Sequence, residues 1–175
     1  MNGQALARAA AVRLMIFDVD GVLTDGSLYF SSEGDAIKAF NSRDGHGMKM
    51  LAESGVRMAI LSGRRSRALE LRARNLGIET VYQGIDDKRA AFVDLAAALG
   101  VAPENCGFMG DDVVDLPVLL RCGFAATVAD APEIVRERVH YIARHAGGHG
   151  AAREVCELIM RSQGTLERAL ARYLE

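Results

Sequence analysis

The sequence predicts an α/β fold in which helices cover both faces of a central parallel sheet. Short apolar runs alternate along the chain with segments of helical periodicity, and most of the runs end at a turn signal. Half of the 175 residues are hydrophobic and a quarter are charged, so the chain can bury a core. This length suits a single domain, residues 1–175, because one core typically serves roughly 100 to 200 residues.

The strands of the sheet are predicted from apolar runs. The first, residues 14–18, is apolar until it reaches a carboxylate, which is typical of a strand buried on both faces. Further runs lie at 56–61, 80–82, 106–109 and 124–128, and a short one follows His140. Helix-period segments lie at 47–53, 65–76, 88–99, 116–121 and 133–138. Strand and helix therefore alternate, as right-handed crossovers between parallel strands require.

Two segments interrupt this alternation. Residues 27–40 place two β-prone runs around a Ser-Ser-Glu-Gly-Asp turn, which predicts a β-hairpin directly after the first strand. The C-terminal tail, residues 147–175, begins with Gly147 and Gly148 and continues with amphipathic helices at 151–160 and 165–174. Because the two glycines permit bending, the tail can swing over a site. The alternative is that its first helix belongs to the core.

Composition and charge exclude several classes of protein. A net charge of −2 gives no overall field that would attract nucleic acid or an anionic membrane. No run approaches the ~20 apolar residues of a membrane span. The three cysteines are widely spaced and lack metal-ligand spacing, which favours reduced thiols. We therefore expect a cytoplasmic protein with neither nucleic acid nor membrane as a partner.

Paired carboxylates give the strongest chemical signal. Asp18 and Asp20 follow the first strand directly, and buried carboxylates without a partner are costly. A divalent cation such as Mg²⁺, which prefers carboxylate oxygens, would compensate them. A second acidic cluster, Asp111, Asp112 and Asp115, follows the run at 106–109. Since parallel strands end at one edge of a sheet, Asp111 and Asp18 can share one ion. The alternative for Asp112 and Asp115 is that they only cap the next helix.

Two further positions offer phosphate-binding groups. Ser62 and Gly63 end another predicted strand, and Lys88 begins a predicted helix. A hydroxyl, the N–H groups of a helix start and an ammonium group all bind phosphate. Each signal alone is weak, since an isolated Ser-Gly usually marks a turn and an isolated Lys usually lies on the surface.

In chain order these features resemble the four motifs of the haloacid dehalogenase (HAD) superfamily of phosphotransferases. The motifs are Asp18 with Asp20, Ser62, Lys88, and Asp111 with Asp115. The resemblance implies a three-layer Rossmann-like fold and a phosphatase in which Asp18 attacks phosphorus and becomes an aspartyl phosphate. It implies that Asp20 is the general acid and base, and that Ser62 and Lys88 bind the phosphoryl oxygens. The implied Mg²⁺ ligands are Asp18, the backbone carbonyl of Asp20, and Asp111, with Asp112 and Asp115 supporting them.

Members of this superfamily commonly carry a cap domain after the first motif or between the second and third. Here the first insertion is only the hairpin, and residues 62–88 leave room for one helix and one strand. The chain is therefore expected to be a capless member with the hairpin in place of a cap. A second subunit is then the expected cover for the substrate.

Within the superfamily, the chain resembles the 3-deoxy-D-manno-octulosonate 8-phosphate (Kdo 8-phosphate) phosphatases over nearly its whole length. The runs that carry this resemblance include Phe-Asp-Val-Asp-Gly-Val-Leu-Thr-Asp-Gly at 17–26, Lys-Ala-Phe-Asn-Ser-Arg-Asp-Gly at 38–45 and Gly-Gly-His-Gly-Ala-Ala-Arg-Glu-Val-Cys at 147–156. The resemblance implies hydrolysis of Kdo 8-phosphate in lipopolysaccharide precursor synthesis. It also implies a homotetramer in which the hairpin packs centrally and the tail reaches a neighbouring active site.

The same resemblance implies a set of substrate contacts. They are Asp20, Asn41, Ser42, Arg43, Asp44, Gly45, Lys49, Arg64, Arg72 and Lys88. A sugar acid phosphate carries a carboxylate far from its phosphate, so a second cationic site is expected, and Arg64 and Arg72 can share one face of a predicted helix. Lys49 stands where many relatives have Arg, a change that keeps the charge but loses the bidentate fork.

Alternatives remain open for several of these residues. Arg72 can be a solvated surface residue, and Arg43 with Asp44 can form only a turn and a helix cap. Arg153 in the tail is either a carboxylate clamp or a charge at a helix start.

Two other functions also remain open at this point. A phosphatase of nonulosonate (sialic-type) 9-phosphates uses the same chemistry, although some of these enzymes carry Glu at the position of Arg64. A catalytically silent HAD-like oligomerisation module would not need intact chemical motifs, and here Asp18, Lys88 and Asp111 are all present.

Overall fold

The main sheet of the protein is parallel throughout. The computed structural model describes residues 3–32 and 34–175. The strands are β1 (Leu14–Phe17), β2 (Tyr29–Ser31), β3 (Gly34–Ile37), β4 (Arg57–Ser62), β5 (Thr80–Gln83), β6 (Cys106–Met109), β7 (Phe124–Thr127) and β8 (Tyr141–Ile142). Six of them form one sheet in the order β5-β4-β1-β6-β7-β8, and every neighbouring pair in it runs parallel. The predicted parallel sheet is confirmed.

Helices connect the strands and cover both faces of this sheet. They are α1 (Gly3–Ala10), α2 (Ser42–Glu53), α3 (Arg67–Leu76), α4 (Lys88–Ala98), α5 (Leu116–Leu119), α6 (Glu133–Arg136), α7 (Ala151–Ser162) and α8 (Leu166–Ala171). The chain moves outward from β1 to β5 through α2 and α3, and then returns to β6 through α4. Right-handed crossovers therefore place α2 and α3 on one face and α4 and α5 on the other. This is the three-layer α/β architecture that the sequence predicts.

The core lies between the sheet and these two helical layers. Every residue of β1, β6 and β7 is buried, as expected for strands covered on both faces. α7 packs against α2 and against α1, an N-terminal helix that the sequence analysis did not predict. No helix in the described part of the chain has the length and apolar character needed to cross a membrane.

The predicted hairpin is present as the antiparallel pair β2 and β3. It forms a separate two-stranded sheet between β1 and α2. Residue 33, in the predicted turn, lies outside the described residues. Tyr29, Phe30 and Ile37 of the hairpin are exposed, with 65% of Phe30 accessible to solvent.

Helix α2 begins at Ser42, five residues before the predicted start at residue 47. Asn41 caps this helix, because its side chain accepts a hydrogen bond from the Arg43 N–H at 2.8 Å. Gly45 and Gly47 lie inside the helix, although glycine weakens an isolated helix. A Cβ atom at Gly47 would lie 2.5 Å from Arg153 Cδ, so the missing side chain lets α7 approach α2 closely.

The two glycines at the start of the tail pack against the catalytic loop rather than standing free as a hinge would. A Cβ atom at Gly147 would lie only 1.8 Å from the carbonyl oxygen of Gly21, and the Gly148 N–H donates to the Val22 carbonyl at 3.0 Å. Eight residues of α7 are buried. The alternative of a core helix is the one the structure shows, and the tail also packs on the body of the protein beyond α7, since Gln163 donates to the Val12 carbonyl at 2.8 Å and Leu166 is buried.

Candidate active site

The carboxyl ends of the parallel strands bring the predicted chemical groups into one cleft of about 400 Å³. Asp18 follows β1, Ser62 ends β4, and Asp111 follows β6. The cleft is lined by Asp18, Asp20, Ser62, Gly63, Arg64, Ile85, Asp86, Lys88, Asp111, Asp112 and Val114. Residues as far apart in the sequence as Asp18 and Val114 therefore meet at the edge of the sheet where ligands of open α/β folds bind.

Lys88 connects two of the carboxylates. Its ammonium group lies 3.0 Å from Asp18 Oδ2 and 2.6 Å from Asp115 Oδ1, and all three side chains are buried. The second oxygen of Asp115 accepts the backbone N–H groups of Asp111 at 3.0 Å and Asp112 at 3.2 Å. Both oxygens of Asp115 are therefore engaged in fixing the lysine and the loop that carries Asp111.

Asp112 has the capping function that the sequence left open. Its side chain accepts from the Val113 N–H at 2.7 Å and forms a capping box with Asp115 around the short 3₁₀ helix Val113–Asp115. Asp115 consequently both caps this helix and supports Lys88.

Burial and mutual repulsion make the carboxylates of Asp18 and Asp111 difficult to ionise. Burial, together with the negative charge of Asp115, raises the pKa of Asp18 to about 7, although Lys88 opposes the rise. Burial and the charge of Asp18 likewise raise the pKa of Asp111 to about 8. One lysine is insufficient compensation for so much negative charge in one buried place.

The acidic cluster fits a divalent cation. Carboxylate oxygens of Asp18, Asp111 and Asp115 lie within 4.8 Å of one another. Oδ1 of Asp111 is buried and has no hydrogen-bond partner among the described residues, whereas the oxygens of Asp115 are already engaged. The Asp18 and Asp111 oxygens are thus the better ligands, and oxygen donors of this kind suit a hard cation.

A protein-family model, related sequences and related structures all agree with this chemistry. A model of the haloacid dehalogenase-like hydrolase family matches residues 43–123. Over 169 residues the chain is 44% identical to the 3-deoxy-D-manno-octulosonate 8-phosphate phosphatase KdsC of Escherichia coli K12, with 97% of this chain and 90% of that protein covered. The chain belongs to the Kdo 8-phosphate phosphatase family.

Solved structures of similar proteins superpose on nearly the whole chain. A probable YrbI family phosphatase from Pseudomonas syringae pv. phaseolicola 1448A is 50% identical, with a TM-score of 0.97 and 99% of both chains covered. The Kdo 8-phosphate phosphatase from Moraxella catarrhalis, in complex with magnesium ion, phosphate ion and a Kdo molecule, is 39% identical, with a TM-score of 0.96 and 99% of both chains covered. The chain therefore has the same haloacid dehalogenase fold as these phosphatases over nearly its whole length.

The loop that carries Asp18 and Asp20 is held in place from two sides. Thr24 Oγ1 accepts the N–H groups of Gly21 at 3.3 Å and Gly26 at 3.2 Å. Gly21 has a positive φ of 88°, and a Cβ atom there would lie 2.0 Å from Asp111 Oδ2, so glycine is required at this position. On the other side, the segment at Gly147 packs directly against the Gly21 carbonyl.

Several residues implied as substrate contacts make contacts within the subunit. Asp44 is buried and accepts the N–H groups of Gly150 at 3.1 Å and Arg153 at 2.9 Å, so it caps the start of α7 rather than facing the cleft. Asn41, besides capping α2, donates from its side chain to the Gly148 carbonyl at 3.0 Å. Gly45 lies beneath the Arg72 guanidinium, which would meet a Cβ atom there at 2.1 Å.

The two arginines expected on one helix face are separated. Arg64 precedes α3 and lines the cleft, whereas Arg72 lies within α3. Arg72 donates to the Asn41 carbonyl at 3.1 Å and lies over the Phe40 ring at 5.9 Å. The shared face was a wrong expectation, because α3 begins only at Arg67 and Arg64 lies in the turn before it.

The remaining implied contacts do not line this cleft. Ser42 and Arg43 are exposed at the start of α2, and Lys49 is half-buried on the same helix. Arg153 pairs with Glu157 at 2.5 Å, an i,i+4 pair along α7, which agrees with the interpretation as a helix charge.

Two charged groups of the site were not predicted from the sequence: Asp86, which lines the cleft, and Lys38. Lys38, directly after β3, is buried and its ammonium group contacts Asp20 Oδ1, while Arg64 Nε lies 3.7 Å from Asp20 Oδ2. The signal available in the sequence was a single lysine between the apolar residues Ile37 and Phe40, at the end of a predicted strand.

Proposed function

We propose that this protein hydrolyses 3-deoxy-D-manno-octulosonate 8-phosphate to 3-deoxy-D-manno-octulosonate and phosphate, as a step in lipopolysaccharide precursor synthesis. It is a phosphoric monoester hydrolase of the haloacid dehalogenase superfamily. The observation that carries the proposal is the meeting of Asp18, Lys88 and Asp111 in the cleft that also holds Asp20.

In the first step, a carboxylate oxygen of Asp18 attacks phosphorus. A bond forms between that oxygen and phosphorus, and the bond between phosphorus and O8 of the sugar breaks. The electron pair of the broken bond stays on O8, which takes a proton from Asp20. Lys88 and the hydroxyl of Ser62 bind the phosphoryl oxygens and stabilise the charge that they carry.

In the second step, water hydrolyses the aspartyl phosphate. Asp20, now a carboxylate, takes a proton from the water as its oxygen bonds to phosphorus. The bond between phosphorus and the Asp18 oxygen breaks, which regenerates the Asp18 carboxylate and releases phosphate. Asp20 is protonated again and ready for the next substrate.

Mg²⁺ would be held by Asp18, the backbone carbonyl of Asp20, and Asp111. When bound, it neutralises charge on the phosphoryl group that is transferred. The raised pKa values of Asp18 and Asp111 and the unpartnered Asp111 oxygen support a cation at this position. Chelation with EDTA is expected to abolish turnover, and added Mg²⁺ to restore it.

Arg64 is the residue of this cleft that we assign to the sugar acid. Its side chain is 53% exposed at the cleft wall, where it can reach a hydroxyl or carboxylate of a bound substrate. Ser42, Arg43 and Lys49 lie outside the cleft of their own subunit, so a role in binding requires that they face a neighbouring subunit's site.

A homotetramer in the cytoplasm is the assembly and location that we propose. The exposed aromatic and aliphatic side chains of the hairpin support it, because a two-stranded hairpin is marginal in water without a covering surface. The free, buried thiols of Cys106, Cys122 and Cys156 suit a reducing compartment. Since the tail packs on its own subunit through Leu166, residues 167–175 are the part that we propose reaches a neighbouring site. Light scattering at micromolar concentration tests the assembly, and a monomer mass would contradict it.

The decisive experiment is phosphate release from a panel of eight- and nine-carbon keto-sugar acid phosphates, with and without Mg²⁺. We expect the octulosonate 8-phosphate to give the highest kcat/KM. A preference for nonulosonate 9-phosphates would identify the alternative phosphatase, and absence of turnover would identify a silent module. The Asp18→Asn variant, purified in parallel, controls for a contaminating phosphatase.

A further inference from the structure

Lys38 is a buried charge at the active site that none of the catalytic steps above uses. Only 2% of its side chain is exposed, and a lysine is rarely buried so completely unless its charge is paired. Its ammonium group contacts Oδ1 of Asp20, the residue that transfers protons. The backbone at Lys38 continues directly from β3, so this contact connects the hairpin to the catalytic loop.

The two oxygens of the Asp20 carboxylate have different surroundings. Oδ1 faces the buried Lys38, whereas Oδ2 faces Arg64 Nε at 3.7 Å. The side chain of Arg64 is 53% exposed, against 2% for Lys38. Lys38 is therefore a fixed partner of the Asp20 carboxylate. The exposed Arg64 side chain, in contrast, can leave Asp20 and bind a substrate.

We propose that Lys38 is a positioning residue, which holds Asp20 through Oδ1 so that Oδ2 faces the cleft and carries the proton. This assignment rests on the proposed function, because it concerns the proton that the leaving oxygen receives. A carboxylate free to rotate would present the proton in a wrong direction for much of the time. The orientation of this carboxylate matters, because misplacing a reacting group by about 1 Å can reduce the reaction rate by about 100-fold.

A purely structural role for Lys38 makes a different prediction. If the lysine only attaches the base of the hairpin to the sheet domain, its loss would disturb every reaction of the site equally. A positioning role affects only reactions whose leaving group needs a proton. Two substrates with different leaving groups therefore distinguish the two roles.

The test compares wild-type enzyme with Lys38→Met, which keeps the length of the side chain and removes its charge. One substrate is an alkyl phosphate, the octulosonate 8-phosphate or glycerol phosphate, whose alkoxide must be protonated as it leaves. The other is p-nitrophenyl phosphate, whose phenolate is a stable anion and leaves without a proton. The constant kcat/KM is measured because it covers the reaction up to cleavage of the first P–O bond.

We expect Lys38→Met to lower kcat/KM for the alkyl phosphate by about 10- to 100-fold and for p-nitrophenyl phosphate by less than about 3-fold. Lys38→Arg, which restores a cation, should recover part of the alkyl phosphate activity. Arg67→Met is the matched control, since it removes an exposed cation that pairs with Glu70 on α3. That control should leave both constants unchanged.

Equal losses for both substrates, or no loss for either, would overturn the positioning role. Lys38→Gln replaces Lys38→Met if the latter does not give a thermal unfolding transition like that of wild type. Failure of the proposed function is distinguishable, because wild-type enzyme would then fail to hydrolyse the octulosonate 8-phosphate. If the enzyme prefers another alkyl phosphate, the comparison of glycerol phosphate with p-nitrophenyl phosphate still decides the role of Lys38. A wild-type protein that hydrolyses none of these phosphates would overturn the positioning role together with the proposed function.

Discussion

Glu154 of α7 is expected to stabilise the fold through its charge, and Glu154→Gln should remove that contribution. The carboxylate lies 2.6 Å from the Tyr141 hydroxyl and 2.6 Å from His145 Nδ1. It also accepts the backbone N–H of Arg144 at 3.1 Å and its Nε at 3.1 Å. Glutamine keeps the shape but offers one acceptor oxygen in place of two, and its amide N–H₂ would face other donors.

The size of the effect follows from the pKa of Glu154. Burial opposes ionisation, but the hydrogen bonds from Tyr141, His145 and Arg144 outweigh it and lower the pKa from 4.5 to about 2. At 1.36 kcal/mol per pKa unit this corresponds to about 3 kcal/mol of stability at pH 7. The partners Arg144 and His145 are 82% and 52% exposed, so solvent screening reduces the expected value to about 1–2 kcal/mol.

The dependence on pH distinguishes this charge from a simple packing effect. Because the pKa is lower in the folded protein than in the unfolded chain, the stabilisation is fully present above about pH 4.5 and is lost as the pH falls towards 2. We therefore expect the difference in the free energy of unfolding between wild type and Glu154→Gln to fall to less than half by about pH 3.

Urea unfolding at pH 7 and at pH 3 measures both values. The matched control is Glu157→Gln, about one turn further along α7, which breaks a half-buried i,i+4 pair with Arg153 on the same helix. Such pairs contribute about 0.3–0.5 kcal/mol. A Glu154→Gln effect at pH 7 no larger than that of the control, or one that does not change with pH, would refute the reasoning.

Further predictions concern the catalytic loop and its supports. Asp18→Asn should abolish turnover with an unchanged circular dichroism spectrum, because the nucleophile is lost while its volume is kept; activity near that of wild type would exclude an aspartyl phosphate. Asp115→Asn should lower kcat by about 10-fold or more, since Lys88 loses its charged anchor; phosphate release assays would show an unchanged kcat if that anchor is dispensable. Gly147→Ala should reduce both thermal stability and kcat, because its Cβ atom would collide with a backbone carbonyl of the catalytic loop. Gly3→Ala, where a Cβ atom meets nothing within 4 Å, is its control, and equal melting temperatures for the two variants would contradict this expectation.

The sequence was sufficient to predict the sheet and the position of the reactive groups. Apolar runs that end in Asp18, Ser62 and the acidic pair at 111–112 mark buried parallel strands, and parallel strands end at one edge. The presence of a common cleft follows from that rule alone, without knowledge of distances. Lys88 was predictable as part of the cleft because it follows Asp18 and Ser62 and precedes Asp111, the order in which a known family carries its motifs.

The tertiary structure alone decided what the side chains between these motifs do. Asp44 was expected near the substrate, yet it caps α7 from 106 positions away in the sequence. Gly147 and Gly148 suggested a hinge, yet they are small because the catalytic loop packs against them. Lys38 gave no distinctive signal, and it proved to be the buried partner of Asp20. Local sequence patterns determine which face of a strand or helix is apolar. The partner of a polar side chain depends on which distant segment packs beside it, and the local periodicity of the sequence contains no information about that segment.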